Sequence, residues 1–488
     1  MTTLTLKTIA ERSGVCFGTS GARGRADDMT DAVCAAYVTA FLQTLAPDAT
    51  RIALGRDLRP SSPRIAAACA AAMKTHGAAV VFAGTLPTPA LACYAMQQGI
   101  PAIMVTGSHI PFDRNGIKFY LPAGEISKAH EDAILHAEVA MPTIYPAAAP
   151  LPPEDRAPLE HYRERYLRFF PADFLHGLRI GVYQHSGVAR DFLCELLQCL
   201  GATVVPLGRT DAFVPVDTEA VSEEDQAQGR AWAAEQRLDA LLSTDGDADR
   251  PLIGDESGHW LRGDAVGLLC AQYLDAATVA TPVSSSTAIE KCGAFSQVMR
   301  TRIGSPYVIE AMEKALAAGA KRVVGFEANG GFLVGDGFER NGRRLEALPT
   351  RDAVLPMLAL LALAKERGAP LSALEAALPR RFTASGRIQD FPAESSRMLL
   401  GSLATSRAAV DALVGEICGE ATGQDETDGL RLTFASGEIV HLRPSGNAPE
   451  LRCYAEADSD ARARELVRLT LERILGHPQG RHARQGAG

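Results

Sequence analysis

The chain lacks an apolar run long enough to cross a bilayer: its longest strongly apolar stretch, Ala353 to Ala364, is short and interrupted by Pro356. The N-terminal Met1-Thr2-Thr3-Leu4-Thr5-Leu6-Lys7 has no hydrophobic segment of the kind a secretory signal needs. Ten cysteines are present but no CxxC pair. A disulfide frame or zinc site is therefore not expected; reduced, buried thiols in a cytoplasmic protein are. Basic charge is not in excess either. With 49 Lys and Arg against 58 Asp and Glu, the net charge is −9, which argues against a dedicated nucleic-acid binder. A small anionic substrate remains compatible, because local fields override net charge.

What is present is an ordinary globular composition, 47% hydrophobic and 22% charged, spread over 488 residues. That length exceeds what one core serves. Strand and helix signals alternate through the first third: a strand at 51–55, a helix at 63–76 with Ser62 as N-cap and Pro63 at the first helical position, a strand at 79–83, a helix at 89–98 and a strand at 102–105. Such alternation predicts a mainly parallel sheet covered on both faces. The Pro- and Ala-rich stretch 141–153 reads as a linker, followed by a helix over 154–170. A second unit spans 178–183, 192–200 and 202–205. A third, from about Gly263, has a helix at 309–318 and a strand at 322–326. The last unit differs, with a β-hairpin at 430–434 and 439–442 and a helix over 458–475. The expected domains are 1–150, 151–262, 263–380 and 381–476, with a disordered tail at 477–488. No internal repeat is visible in the sequence, although the first three units share an α/β rhythm.

Residues 245–250 read Asp245-Gly246-Asp247-Ala248-Asp249-Arg250, directly after the apolar run Leu238-Asp239-Ala240-Leu241-Leu242. Three carboxylates at alternating positions repel one another unless a cation sits among them, and their hard oxygens suit Mg²⁺ or Ca²⁺. A calcium EF-hand would use Asp245, Asp247 and Asp249 as its first ligands and Glu256 as its last. But Arg250 stands where that loop needs Gly, and the flanks read as strand and hairpin, not as helices. The pattern therefore predicts a Mg²⁺ site with open positions for a phosphate oxygen; a solvated acidic turn is the plain alternative.

Other loops supply partners for such chemistry. Thr106-Gly107-Ser108-His109-Ile110-Pro111 follows a strand, where α/β sheets place ligands, and Lys118 lies nearby as a candidate acid or base. Gly18-Thr19-Ser20-Gly21-Ala22-Arg23-Gly24 and Arg443-Pro444-Ser445-Gly446-Asn447-Ala448-Pro449 combine small residues, hydroxyls and a guanidinium, which suits anions. Glu327 and Asn329, after the strand at 322–326, pair an acceptor with an amide and suit sugar hydroxyls; a loop with a capping Asn is an equally simple reading.

In order along the chain, these loops resemble those of the α-D-phosphohexomutases, the phosphomannomutase and phosphoglucomutase superfamily, over roughly residues 15–475. The family's Gly-Thr-Ser-Gly-x-Arg-Gly is matched by Gly18 to Gly24, and its Asp-Gly-Asp-x-Asp-Arg by Asp245 to Arg250. Its Thr-Ala-Ser-His-Asn-Pro is matched with departures at Gly107 and Ile110, and its Arg-Pro-Ser-Gly-Thr-Glu-Pro with departures at Asn447 and Ala448. The sugar loop departs most: where many relatives have Gly-Glu-x-Ser-Gly-His, this chain has Phe326-Glu327-Ala328-Asn329-Gly330-Gly331. These variants look most like bacterial phosphomannomutases.

The resemblance implies three mixed α/β domains and a smaller α+β domain around a central cleft. It implies Ser108 as a phosphoserine and as a metal ligand with Asp245, Asp247 and Asp249 for Mg²⁺. Arg23 and Arg250 would stabilise the transferring phosphoryl group, with Lys118 as general base and His109 close behind. Glu327 and Asn329 would grip the sugar, and Arg443, Ser445, Gly446 and Asn447 the distal phosphate. The implied reaction interconverts hexose 6- and 1-phosphate through a hexose 1,6-bisphosphate, which also serves as activator. Mannose is the expected sugar, with glucose or both as the alternative. The expected partner is a phosphorylated hexose, not nucleic acid or membrane, and the expected state is a monomer or small homo-oligomer. Two other classes compete: a phosphatase with Asp245 as nucleophile, and a non-catalytic calcium or sugar-phosphate binding module.

Overall fold

Side-chain alternation along the strand Arg51–Arg56 divides the first unit's core into two layers. On one face Ile52 and Leu54 cluster with Tyr37 and Phe41 of the helix Asp31–Leu45 and with Ile65 and Met73 of Ser62–Thr75. On the other, Ala53 joins Leu91 and Tyr94 of the helix Thr88–Gln98 in a core that continues through Tyr162, Phe192 and Leu242 to Phe326 and Leu358. The first three units are thus welded by one apolar core. The computed structural model describes residues 2–141, 150–445 and 450–476; the expected tail 477–488 and most of the expected linker 141–153 lie outside these.

The three units repeat one topology. In each, a strand with a parallel neighbour on either side is followed, beyond one of those neighbours, by a strand that runs back antiparallel. In the first unit these are Arg51–Arg56 between Ala79–Thr85 and Ala102–Val105, with Arg114–Leu121 returning. In the second they are Arg179–Tyr183 between Thr203–Leu207 and Ala240–Thr244, with Pro251–Gly254 returning. In the third they are Thr278–Pro282 between Gln297–Thr301 and Val323–Phe326, with Phe332–Val334 returning. The sheets are therefore mixed, not mainly parallel. The returning strand follows a short loop, whereas a parallel one would need a crossover of a dozen residues or more. Each of those short loops carries one of the motifs singled out above.

The fourth unit is an antiparallel sheet in the order Phe382–Ile388, Leu451–Ala457, Ile439–Pro444, Leu430–Phe434, Ala421–Asp425. The expected hairpin is there, and the final helix, Asp460–Gly476, covers the sheet. Its core, around Leu399, Leu432, Val440 and Leu466, is separate. Polar contacts tie it to the third unit: Ile303 N–H donates to Asp428 Oδ2 at 2.9 Å, Arg302 Nε to Thr427 O at 3.1 Å and Thr287 N–H to Glu456 Oε2 at 3.0 Å.

Two local expectations change. Ser62 does not cap its helix. Ser61 takes the N-cap position, while Ser62 Oγ donates to the buried Asp57 Oδ1 at 2.5 Å. Ala353 to Ala364 falls within a core helix, Val354–Arg367, whose Pro356 lies in the first turn, where its missing N–H costs nothing. No single helix among the described residues is long and apolar enough to cross a membrane.

Asp352 locks this frame. It accepts from Tyr162 Oη at 2.6 Å and from Tyr166 Oη, both fully buried, and from Val354 N–H at 2.9 Å. Asp352→Ala would strand two phenolic hydroxyls, and should cost about 3 kcal/mol, read as a lower denaturant midpoint in equilibrium unfolding.

Candidate active site

The loop 245–250 joins Ala240–Thr244 to Pro251–Gly254, and the hairpin forces its three aspartates inward. Ala248 takes a left-handed conformation with φ 60°, a strained choice for alanine of about 1–3 kcal/mol that lets side chains on both sides of it converge. Asp245, Asp247 and Asp249 are each at most 1% exposed, and one oxygen from each lies within 4.8 Å of the others. Uncompensated, each buried carboxylate would cost several kcal/mol. Compensation comes from elsewhere in the chain. Lys118 Nζ sits 2.7 Å from both Asp247 Oδ2 and Asp249 Oδ2. Arg351 donates to Asp249 Oδ2 from Nη2 at 2.8 Å and Nε at 3.1 Å. Thr88 Oγ1 donates to Asp247 Oδ2 at 2.6 Å. Asp247 Oδ1 and Asp249 Oδ1 are buried with no hydrogen-bond partner. Three clustered carboxylates with oxygens left free of hydrogen bonds are a donor set a hard divalent ion takes, so the residues fit such an ion.

The electrostatics are uneven. Burial, then the charges of Asp247 and Asp249, push Asp245 well above the carboxylate range. Burial also raises Asp249, but Arg351, Lys118 and Arg250 outweigh it and hold it below that range. Burial works against the charge of Lys118, yet Asp247 and Asp249 raise its pKa all the same. In this geometry Lys118 is thus a protonated partner of the acidic loop. It can act as the base expected of it only where a cation takes over Asp247 and Asp249. His109 is the reverse case: burial, then Arg250 and Arg23, hold it well below its ordinary 6.5. Arg23 itself is lowered to about 10 by burial and by the neighbouring Arg250 and Arg351. Cations crowded in this way favour an anion between them.

Ser108 reaches the acidic loop directly. Its Oγ donates to Asp245 Oδ2 at 2.5 Å and lies 3.3 Å from His109 Nδ1. The residue is left-handed, φ 54°, and 1% exposed. Arg59 is what holds it. The guanidinium donates to four carbonyls of this loop: Ser108 at 2.9 Å, Ile110 at 2.5 Å, Pro111 at 2.6 Å and Arg114 at 2.9 Å. It also pairs with Asp57 and stacks on Phe213. Gly107 makes room for it, since a Cβ there would come within 2.6 Å of Arg59 Cζ.

Glu327 and Asn329 sit in the loop between Val323–Phe326 and Phe332–Val334. Glu327 Oε2 accepts from Arg351 Nη1 at 3.0 Å within the third unit, and the same guanidinium reaches Asp249 of the second. Asn329 Oδ1 caps its own loop through Gly331 N–H at 2.9 Å, which fixes the side chain and leaves its amide nitrogen to donate to a ligand. Ser108, His109, Lys118, Arg23, Arg250, the three aspartates and Glu327 therefore converge. Arg443 and Ser445 stand apart on the fourth unit, Arg443 paired with Asp428 at 2.8 Å. Gly446 and Asn447 lie outside the described residues. Across the fourth sheet Arg387, Arg452 and Arg443 share one register row, with Glu450 beside Arg387 at 3.3 Å and Arg452 at 3.7 Å. Arg59, Arg351, Arg387 and Arg452 carry no sequence signal; only strand register and loop packing bring them here.

A serine hydroxyl held against three buried carboxylates that could take a cation, with arginines gathered round it, is an arrangement suited to phosphoryl transfer. The chain belongs to the phosphoglucomutase/phosphomannomutase family: it matches alpha/beta/alpha domain I over residues 14–138, domain II over 164–258, domain III over 262–382 and the C-terminal domain over 400–472. It is 48% identical to proteins named phosphomannomutase from Salmonella muenchen, over 96% of this chain and 97% of that one, and from Sinorhizobium fredii, over 93% and 97%. Its fold is similar to the crystal structure of a phosphoglucomutase/phosphomannomutase family protein from Burkholderia thailandensis, at 19% identity and a TM-score of 0.71 over 94% of this chain and 97% of that one.

Two outcomes follow from this geometry. Arg59→Lys keeps the charge but cannot reach four carbonyls, so the loosened Ser108 should cost roughly 10–100-fold in kcat and the carbonyls left without their donor should lower the melting temperature as well. Mg²⁺ should raise the melting temperature of the wild type, by about 2.7 kcal/mol of stability at a hundred times its Kd; Asp247→Asn should abolish that rise.

Proposed function

We propose that the protein is a Mg²⁺-dependent phosphohexomutase interconverting mannose 6-phosphate and mannose 1-phosphate. The observation that carries this reading is the 2.5 Å contact of Ser108 Oγ with Asp245, which sets a phosphoryl-accepting hydroxyl against a three-carboxylate cation site. Mannose is favoured by the names of the two relatives at 48% identity. The cytoplasm as location, a bisphosphate activator and a monomer or small homo-oligomer complete the reading.

In the reaction, a phosphoryl group on Ser108 passes to the free hydroxyl of the sugar phosphate. The new O–P bond forms as the Ser108 Oγ–P bond breaks, and the hydroxyl proton goes to a base. The resulting hexose 1,6-bisphosphate turns round and returns its other phosphate to Ser108. A divalent ion held by Asp245, Asp247 and Asp249, with Ser108, supplies charge neutralisation when bound. Arg23 and Arg250 gather the equatorial phosphoryl oxygens. Glu327 and the Asn329 amide grip ring hydroxyls, and Arg443, Ser445, Gly446 and Asn447 hold the distal phosphate, which looks alike from either end of the sugar. His109, neutral beside Ser108, is the base available in the geometry described; Lys118 becomes available when its carboxylates are neutralised. The fourth unit, joined by polar contacts, closes over the ligand and keeps water from the phosphoserine.

A coupled assay with Mg²⁺ and bisphosphate should show turnover of both 1-phosphates, with higher kcat/KM for mannose 1-phosphate. Ser108→Ala should abolish it; retained turnover would make Asp245 the nucleophile and the protein a phosphatase. A base on His109 works in its neutral form, so acid removes activity. Because its pKa lies well below 6.5, kcat/KM should stay level down to that pH and fall only beyond it. His109→Gln should cost about 100-fold; an unchanged rate would pass the role to Lys118.

A further inference from the structure

Arg351 is 2% exposed and lies on the strand Leu348–Asp352, beside Phe332–Val334 and the sugar loop. It grips two functional carboxylates at once: Asp249 through Nε and Nη2, and Glu327 through Nη1. Its stem fills a specific gap. A Cβ on Gly331 would stand 2.7 Å from Arg351 Cδ and 2.9 Å from its Cγ. Gly331 is the position at which the family motif carries His. The sugar loop thus has no side chain at this position, and the aliphatic stem of Arg351 from the neighbouring strand lies in the adjacent space.

We infer that Arg351 is the residue that positions the sugar grip in this enzyme, standing in space where the family's loop histidine would be. This rests on the mutase reading above. Arg351 holds Glu327 by Oε2, which turns Oε1 toward a ring hydroxyl. It also cancels a negative charge that would otherwise repel a phosphorylated sugar. Because the same planar fork holds Asp249 Oδ2 through two N–H groups, Glu327 is fixed relative to the acidic loop, and the sugar is gripped at one distance from the phosphoryl donor in both of its orientations. A lysine at 351 would keep the charge but lose the fork.

The test is a double-mutant cycle on the full chain with Mg²⁺ and bisphosphate, reading KM and kcat for mannose 1-phosphate and glucose 1-phosphate together with the melting temperature. Arg351→Lys and Glu327→Gln should each raise KM about tenfold, and the double variant should rise no more than about threefold beyond the worse single one, because Arg351 acts through Glu327. KM increases that multiply, or an unchanged KM in Arg351→Lys, would overturn the inference. Should Arg351→Lys fail to fold, Gly331→Ala displaces the retained arginine from the opposite side and should raise KM likewise; no change there would be equally fatal. Wild type inactive on both sugars refutes the mutase reading, and this inference with it, whereas an active wild type with an indifferent Arg351 refutes only the positioning role.

Discussion

Three aspartates packed into one hairpin turn, almost without solvent, are the constraint around which the molecule is organised. Alone they would open the loop or take up protons, since desolvation and mutual repulsion act in the same direction. Instead the first unit sends Lys118 and Thr88 against Asp247, and the third sends Arg351 against Asp249. The balance is incomplete. Among the described residues Asp245 has the Ser108 hydroxyl at hydrogen-bonding distance from another unit, and Asp247 Oδ1 and Asp249 Oδ1 accept no hydrogen bond. A site that is nearly but not wholly neutralised by protein retains a place for a cation, and it requires three units to arrive in fixed relation.

That fixed relation comes from the shared core and the repeated topology. Each of the first three units turns its chain back after the same strand, and each turn presents different groups: the Ser108 hydroxyl, three aspartates, and Glu327 with Asn329. The strain the turns carry, at Ser108 and Ala248, sits in loops over-determined by other contacts. Arg59 shows how: one guanidinium donates to four carbonyls around a left-handed residue and an irregular loop.

Much of this was legible in the sequence because chemistry fixes local motifs. Asp245, Asp247 and Asp249 cannot alternate in an apolar context without purpose, and strands such as Ala102–Val105 announce themselves by their branched and apolar residues. What stayed hidden depends on pairing across the chain. Arg351 and Arg59 look like any arginine until strand and loop packing set them beside Glu327 and Ser108. Likewise, Arg387, Arg452 and Arg443 become a row only through register. Ser62 failed as a cap for the same reason: the buried Asp57 claims its hydroxyl more strongly than a helix end does. The antiparallel returns went unread because alternating strands and helices reveal crossovers, while a short loop after a strand looks the same whichever way the chain then runs.

The fourth unit follows a different logic, and the difference is functional. Its apolar core is its own, and backbone and carboxylate hydrogen bonds join it to the third unit. Such bonds exchange with water at a net cost of about 1 kcal/mol each, whereas splitting the shared core of the first three units would expose apolar surface with no compensation. The molecule therefore has a built-in line of weakness, and it runs between the rigid chemical centre and the arginine row. Such a division suits a mutase: the reacting centre stays unchanged while the sugar is reversed, and a unit joined by polar contacts is the one free to move.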